Sequence, residues 1–202
     1  MNIKELDLDA LTELFNIGLH RAAASLSELT SQRIIVDLPE LWVGPLDEMQ
    51  GRLTNVMGGE LATVHQVFTG AMRGDAVLVL QYDNATRLAG LMTGEGVATG
   101  RLDQSAREVL SEVGNIILGS CLSAFGDMLR VSVSFAVPRI HVEGLDELLR
   151  SLEVEGGGLQ IALLAATRFR LTDQEVGGHL IIGIGLASLE LIARSLEARE
   201  QG

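Results

Sequence analysis

Residues 9–48 of this chain recur 99 residues later with their polar positions intact. Asp9, Glu13, Asn16 and Pro39 fall on Glu108, Glu112, Asn115 and Pro138, so the pattern acid–x3–Glu–x2–Asn–x22–Pro is written twice. Leu11, Ile17, Leu19, Val43, Leu46, Asp47 and Glu48 recur as Leu110, Ile116, Leu118, Val142, Leu145, Asp146 and Glu147. Two of the three prolines occupy the same slot. A duplicated core explains recurring Leu and Ile. It does not require a recurring Glu-x-x-Asn, which points instead to two similar polar sites. The expected architecture is a single domain over 1–202, built from repeats of about 6–100 and 104–200 that share one core.

Composition narrows the function. Lys and Arg number 15 against 27 Asp and Glu, a net charge of −12, and aromatics are only 3% of residues. So acidic a surface repels phosphate backbones, and no basic cluster with interleaved aromatics offsets it, which argues against nucleic-acid binding. Cys121 is the only cysteine, so an intramolecular disulfide framework is excluded; in its apolar surroundings it reads as a small buried hydrophobe. Lys4, Glu5, Asp7 and Asp9 make the N-terminus unlike a signal peptide. The apolar run at 159–167 is too short for a membrane span, and no other run is read as one. The chain reads as cytoplasmic.

Apolar residues at 11, 14, 15, 19, 22, 26 and 29 have helical spacing, so a helix is expected over 8–29, capped by Asp7 or Asp9. Residues 33–38 read as a strand that Pro39 ends. Residues 46–49 read as a turn or helix start, 61–69 and 75–82 as strands, and the stretch to Met92 as a helix capped by Asp83 or Asn84. Residues 94–100 form the natural linker. The second half follows the same order: a helix over 104–128, a strand at 131–137, a turn at 145–148, strands near 159–170 and 178–184, and a helix over 186–199. Gly156, Gly157 and Gly158 lack the Lys and Ser/Thr of a phosphate-binding loop and read as a turn. The fold class is therefore α/β (α+β). Two pseudo-two-fold-related halves share one sheet, with the two long helices on a common face.

On the first helix, Asp9, Glu13, Asn16 and His20 lie at i, i+4, i+7 and i+11 and share a face; Glu108, Glu112 and Asn115 do so on the second, with Gly119 in place of His20. Residues three apart have Cβ atoms about 5–6 Å apart, so each Glu–Asn pair can touch one partner at once. An isolated Glu-x-x-Asn is usually just a solvated helix face. Asn, however, is a poor mid-helix residue because its amide competes for backbone hydrogen bonds, and here it recurs in register. One carboxylate and one amide are too few for a tight metal site. They make no Ser/His/Asp arrangement and no pair of carboxylates across a glycosidic bond. An uncharged amide does suit orienting water beside a phosphoryl group, where catalysis is mostly positioning and electrostatics. The Glu suits pairing with a lysine of a phosphorylated partner.

These residues resemble the signature of the CheC/CheX/FliY phosphatases, which dephosphorylate the response regulator CheY in chemotaxis. Two copies in about 200 residues look like the CheC type; the CheX type is shorter and FliY carries an added flagellar-switch domain. The run Glu112-Val-Gly-Asn-Ile-Ile-Leu-Gly-Ser-Cys-Leu-Ser-Ala124 is especially similar. The resemblance implies that Glu13 and Glu112 contact the receiver domain and that Asn16 and Asn115 place the attacking water. It implies no cofactor of the chain's own, the Mg²⁺ belonging to the phosphorylated regulator. It makes a CheY-like regulator the expected partner, with a CheD-like receptor deamidase as a second.

Three departures stand out. The family's Gly before Asn is kept as Gly114 but replaced by Phe15; its small Gly-Ala-Gly-Asn run reads Gly18-Leu-His-Arg21; and Glu108 stands where Asp or Ser is more usual. The first two add bulk beside Asn16, so the Glu112/Asn115 site is expected to be the more active. Two competing readings are a non-catalytic adaptor for a phospho-regulator or a CheD-type deamidase, and a flagellar-switch scaffold like the FliM middle domain, which lacks the Glu–Asn pairs.

Overall fold

The computed structural model describes residues 8–94, 100–155, 161–171 and 173–200. In the first half these form α1 (Leu8–Thr30), β1 (Ile34–Pro45), α2 (Leu46–Val56), β2 (Leu61–Gly70), β3 (Gly74–Gln81) and α3 (Tyr82–Thr93). The second half forms α4 (Gln104–Leu129), β4 (Val133–Phe135), β5 (Arg139–Glu143), α5 (Leu145–Glu155), β6 (Ile161–Leu171), β7 (Gln174–Ile184) and α6 (Leu186–Glu200). The Asp7 cap, the linker at 95–99 and the glycine turn at 156–158 lie outside the described residues.

All strands pair antiparallel in one sheet of order β1-β6-β7-β3-β2, with β4 and β5 both on the far edge of β2. β3 and β7 meet at the centre, and the rest follows by pseudo-two-fold symmetry. The first strand of each half therefore pairs with the second strand of the other: β1 with β6, and β5 with β2. Neither half holds a complete sheet, so the two must fold together. Both long helices end in a non-glycine residue in the left-handed region, Ser31 and Arg130, each with φ 54°.

The apolar faces of α1, α3, α4 and α6 cover one side of the sheet, packing Leu11, Phe15, Leu118 and Phe125 on Val64, Phe68 and Phe169. α2 and α5 cover the other side through Met49, Leu53, Leu148 and Leu152. Phe15 meets Phe125 edge-on, with ring centroids 5.4 Å apart, and Gly18 backs onto Cys121, so α1 and α4 run antiparallel. A Cβ on Gly18 would stand 2.6 Å from Cys121 Cα, so only glycine allows this approach. α4 also corrects the expectation about membrane-length runs. It is the one described helix long and apolar enough to cross a membrane, with mean hydropathy 1.4. Its apolar residues, among them Leu110, Ile117 and Leu122, are instead spent on the core.

Several expected boundaries move. Pro39 does not end β1: the strand runs on to Pro45 through a bulge in which Leu38 and Pro39 oppose Thr167 alone. Likewise 131–137 is not one strand, because Ala136, Val137 and Pro138 oppose Gln66 and Val67 between β4 and β5. Each bulge carries one extra residue at the repeated proline, which cannot donate to the ladder and sits on an edge strand. Neither Asp83 nor Asn84 caps α3. Gln81 precedes it without a side-chain cap bond, and Asn84 donates instead to the Gly177 carbonyl at 2.9 Å. Asp9 lies within the first turn of α1, where a carboxylate favours the positive helix end.

Candidate functional site

The helical spacing of the motif places Glu13 and Glu112 in solvent and Asn16 and Asn115 at half-buried positions, one turn further along their helices. Asp9, Glu108 and His20 are exposed on the same stripes, and Glu108 accepts from Gln104 Nε2 at 3.0 Å. Both stripes reach the surface, the Glu side chains fully and the Asn side chains in part, so a partner can touch them. Gly18 stands level with Cys121, so Asn16 lies level with about residue 123 of α4. That is eight residues beyond Asn115, about 12 Å along the axis at 1.5 Å per residue. The two pairs are separate sites.

The second site is built against the sheet edge. Gln66 of β2 is buried to 1% exposure beneath α4. Its Nε2 donates to Asn115 Oδ1 at 2.8 Å and to the carbonyl of Ala136, in the proline bulge, at 3.2 Å. The repeated Pro138 thus marks the irregular backbone that comes up beside Asn115. Sequence reasoning missed Gln66, since a lone glutamine in an otherwise apolar strand has no spacing signal. Counting 99 residues on points to Ala165, but the strand register puts Thr167 opposite the first bulge. Among the described residues neither the Thr167 hydroxyl nor the Asn16 amide makes a side-chain hydrogen bond at the first site.

The structure overturns the steric ground for ranking the two sites. Phe15 is 0% exposed and packs into the core on Phe125, so it adds no bulk where a partner approaches Asn16. Gly114 also faces inward, and a Cβ there would stand 2.6 Å from Val64 Cγ1. Adjacent helix residues point about 100° apart, and here the residue before each half-buried Asn falls on the core face. Leu19 is buried as well. Of the altered Gly18–Arg21 run, only His20 and Arg21 reach the surface. Arg21 ties α1 to α4 through Asp127 at 2.6 Å, while Gly119, the counterpart of His20, is open.

On the opposite face of β2, His65 is held between two carboxylates: Nδ1 lies 3.4 Å from Asp75 Oδ2 and Nε2 lies 3.2 Å from Glu143 Oε1. The Thr63 hydroxyl donates to the same Glu143 oxygen, and the His141 ring meets His65 edge-on at 5.3 Å. This network ties β5 and β3 to β2 immediately beside the bulge, since His65 pairs with Arg139, the residue after Pro138. Burial disfavours the imidazolium, but Asp75 and then Glu143 outweigh it and raise the His65 pKa above 6.5. A raised folded pKa stabilises below the unfolded value and loses that contribution as pH climbs through the folded one. Thermal melts of wild type and His65→Gln should therefore differ most below pH about 6.5, with the gap narrowing as pH climbs above that through the raised pKa. A gap that widens with pH would contradict a charged His65.

No protein-family model matches the chain. Over 150 residues it is 26% identical to the CheY-P phosphatase CheC of Bacillus subtilis (strain 168), covering 70% of this chain and 68% of that one. It is 23% identical over 150 residues to the flagellar motor switch phosphatase FliY of the same organism, covering 72% of this chain and 38% of FliY. The crystal structure of Thermotoga maritima FliY superposes with TM-score 0.74 at 18% identity, covering 98% of this chain and 96% of that one. The chain is a homologue of CheC and FliY. A FliM middle domain from Vibrio alginolyticus also superposes, with TM-score 0.63 over 92% of this chain and 99% of that one. At 12% identity, that likeness to the CheC/FliY homologue is one of fold alone.

Proposed function

We propose that this chain is a phosphatase for the aspartyl phosphate of a CheY-like response regulator in chemotaxis signalling. Glu13 and Glu112 dock the receiver domain, each opposite a lysine. Asn16 and Asn115 position the attacking water. The observation that carries this reading is the pair of separate Glu–Asn sites on rigid helices, each with an exposed carboxylate and a half-exposed amide. A neutral amide can hold water against a phosphoryl group without adding negative charge there, and a helix fixes it better than a loop does. The chain needs no cofactor of its own in this scheme, since the regulator's acidic pocket supplies Mg²⁺. Relationship to the protein named CheY-P phosphatase CheC supports the same reading. The test is release of inorganic phosphate from CheY phosphorylated with acetyl phosphate, with and without this chain. Faster release supports the phosphatase. Binding of CheY-P with no faster release would leave the adaptor reading.

A further inference from the structure

We propose that Gln66 is a positioning residue for Asn115 that sets which end of the amide faces the phosphorylated partner; this rests on the phosphatase reading. The chemistry of the three groups fixes their orientation. A backbone carbonyl only accepts, so the Gln66 atom 3.2 Å from Ala136 O is Nε2. The same nitrogen lies 2.8 Å from Asn115, so the Asn115 atom facing it is Oδ1. One lone pair of the oxygen is thereby engaged, and the NH2 of Asn115 is turned away from Gln66. Asn115 offers a partner its two N–H donors, suited to the lone pair of a water or to a phosphoryl oxygen, while Gln66 holds the acceptor end toward the sheet. Donation into Oδ1 also polarises the amide and strengthens those donors.

The cost of Gln66 supports a role outside packing. Its own Oε1 is buried with no hydrogen-bond partner among the described residues, a liability in a core. Its neighbours on that face of β2 are Ala62, Val64 and Phe68, all apolar. At the first site, Thr167 holds the equivalent register position and makes no bond to Asn16, so the Asn16 amide can present either end. The two sites therefore differ in preorganisation, and the second turns over faster. This restores the expected rank order on a different physical ground from bulk at position 15.

The experiment is run in an Asn16→Ala background, leaving the second site to act on CheY phosphorylated with acetyl phosphate. Gln66→Met keeps the volume and removes both donors; Gln66→Leu replaces it should the Met variant fail to fold. We expect kcat to fall about tenfold, the worth of one lost orienting hydrogen bond. KM should not change, because a residue 1% exposed does not touch the receiver. The melting temperature should change little, since an unpartnered polar atom is removed together with the two hydrogen bonds of Nε2. The side-chain NH2 resonances of Asn115, identified by their loss in Asn115→Ala, should shift. Unchanged kcat, unchanged resonances, or a parent Asn16→Ala chain that no longer turns over would each overturn the proposal. Failure of the phosphatase reading is distinguishable, because it shows as no acceleration by the unsubstituted chain.

Discussion

Asn16→Ala combined with Asn115→Ala is expected to abolish the acceleration of CheY-P hydrolysis while leaving the fold and receiver binding in place. A positioned group that acts on the transition state typically contributes about 100-fold or more, so losing both sites should return phosphate release to the rate of CheY-P alone. Stability should barely move. Alanine improves helix propensity by about 0.5 kcal/mol at each position. Against that, Asn115→Ala removes one hydrogen bond from Gln66, worth about 1 kcal/mol, although Ala136 still accepts from the same nitrogen. The single-mutant losses should be roughly independent, since the sites share no partner and lie further apart than the range of ordinary coupling. Charge reversal at Glu13 and Glu112 separates docking from chemistry: lysine there should weaken the complex itself, seen as a raised KM. A double Asn variant that still releases phosphate at the wild-type rate would sink the mechanism.

Phe15→Gly, which restores the residue the family usually carries before its Asn, should damage the protein without activating its first site. Truncating a fully buried Phe costs about 3–5 kcal/mol, and a mid-helix glycine adds about 1 kcal/mol. Phe15 also loses its edge-on contact with Phe125. At about 2–4 °C per kcal/mol for a chain of this size, the melting temperature should drop by about 10–20 °C. Below that transition, turnover measured in an Asn115→Ala background should stay near its parent value. A rise in first-site turnover would show that bulk at position 15 does obstruct the partner, and that the packing described above is wrong.

Much of the fold follows from local pattern. The 3.6-residue spacing of Leu11, Leu14, Phe15, Leu19, Ala22 and Leu26 is enough to place α1 and its buried face, and α4 follows by repetition. That same spacing already assigns Phe15 to the core. Treating it as a neighbour of Asn16 on the surface confused adjacency in the chain with adjacency in space. The Glu–Asn stripe was legible because a polar pair repeated in register is not required by packing.

What the chain alone determined is therefore periodic or repeated: two helices, a doubled motif, and two related halves. Only the tertiary structure decided how those halves join and what stands behind each Asn. Strand exchange pairs β1 with β6 and β5 with β2 across at least 74 residues of chain, a long-range register that no local periodicity encodes. That register slips against the 99-residue repeat, so Gln66 is matched by Thr167 rather than Ala165. Gln66 reaches Asn115 from a buried strand position, where the bulge at Pro138 brings the Ala136 carbonyl to the same nitrogen. Hydrogen-bond geometry among three separate segments exists only once the sheet has closed.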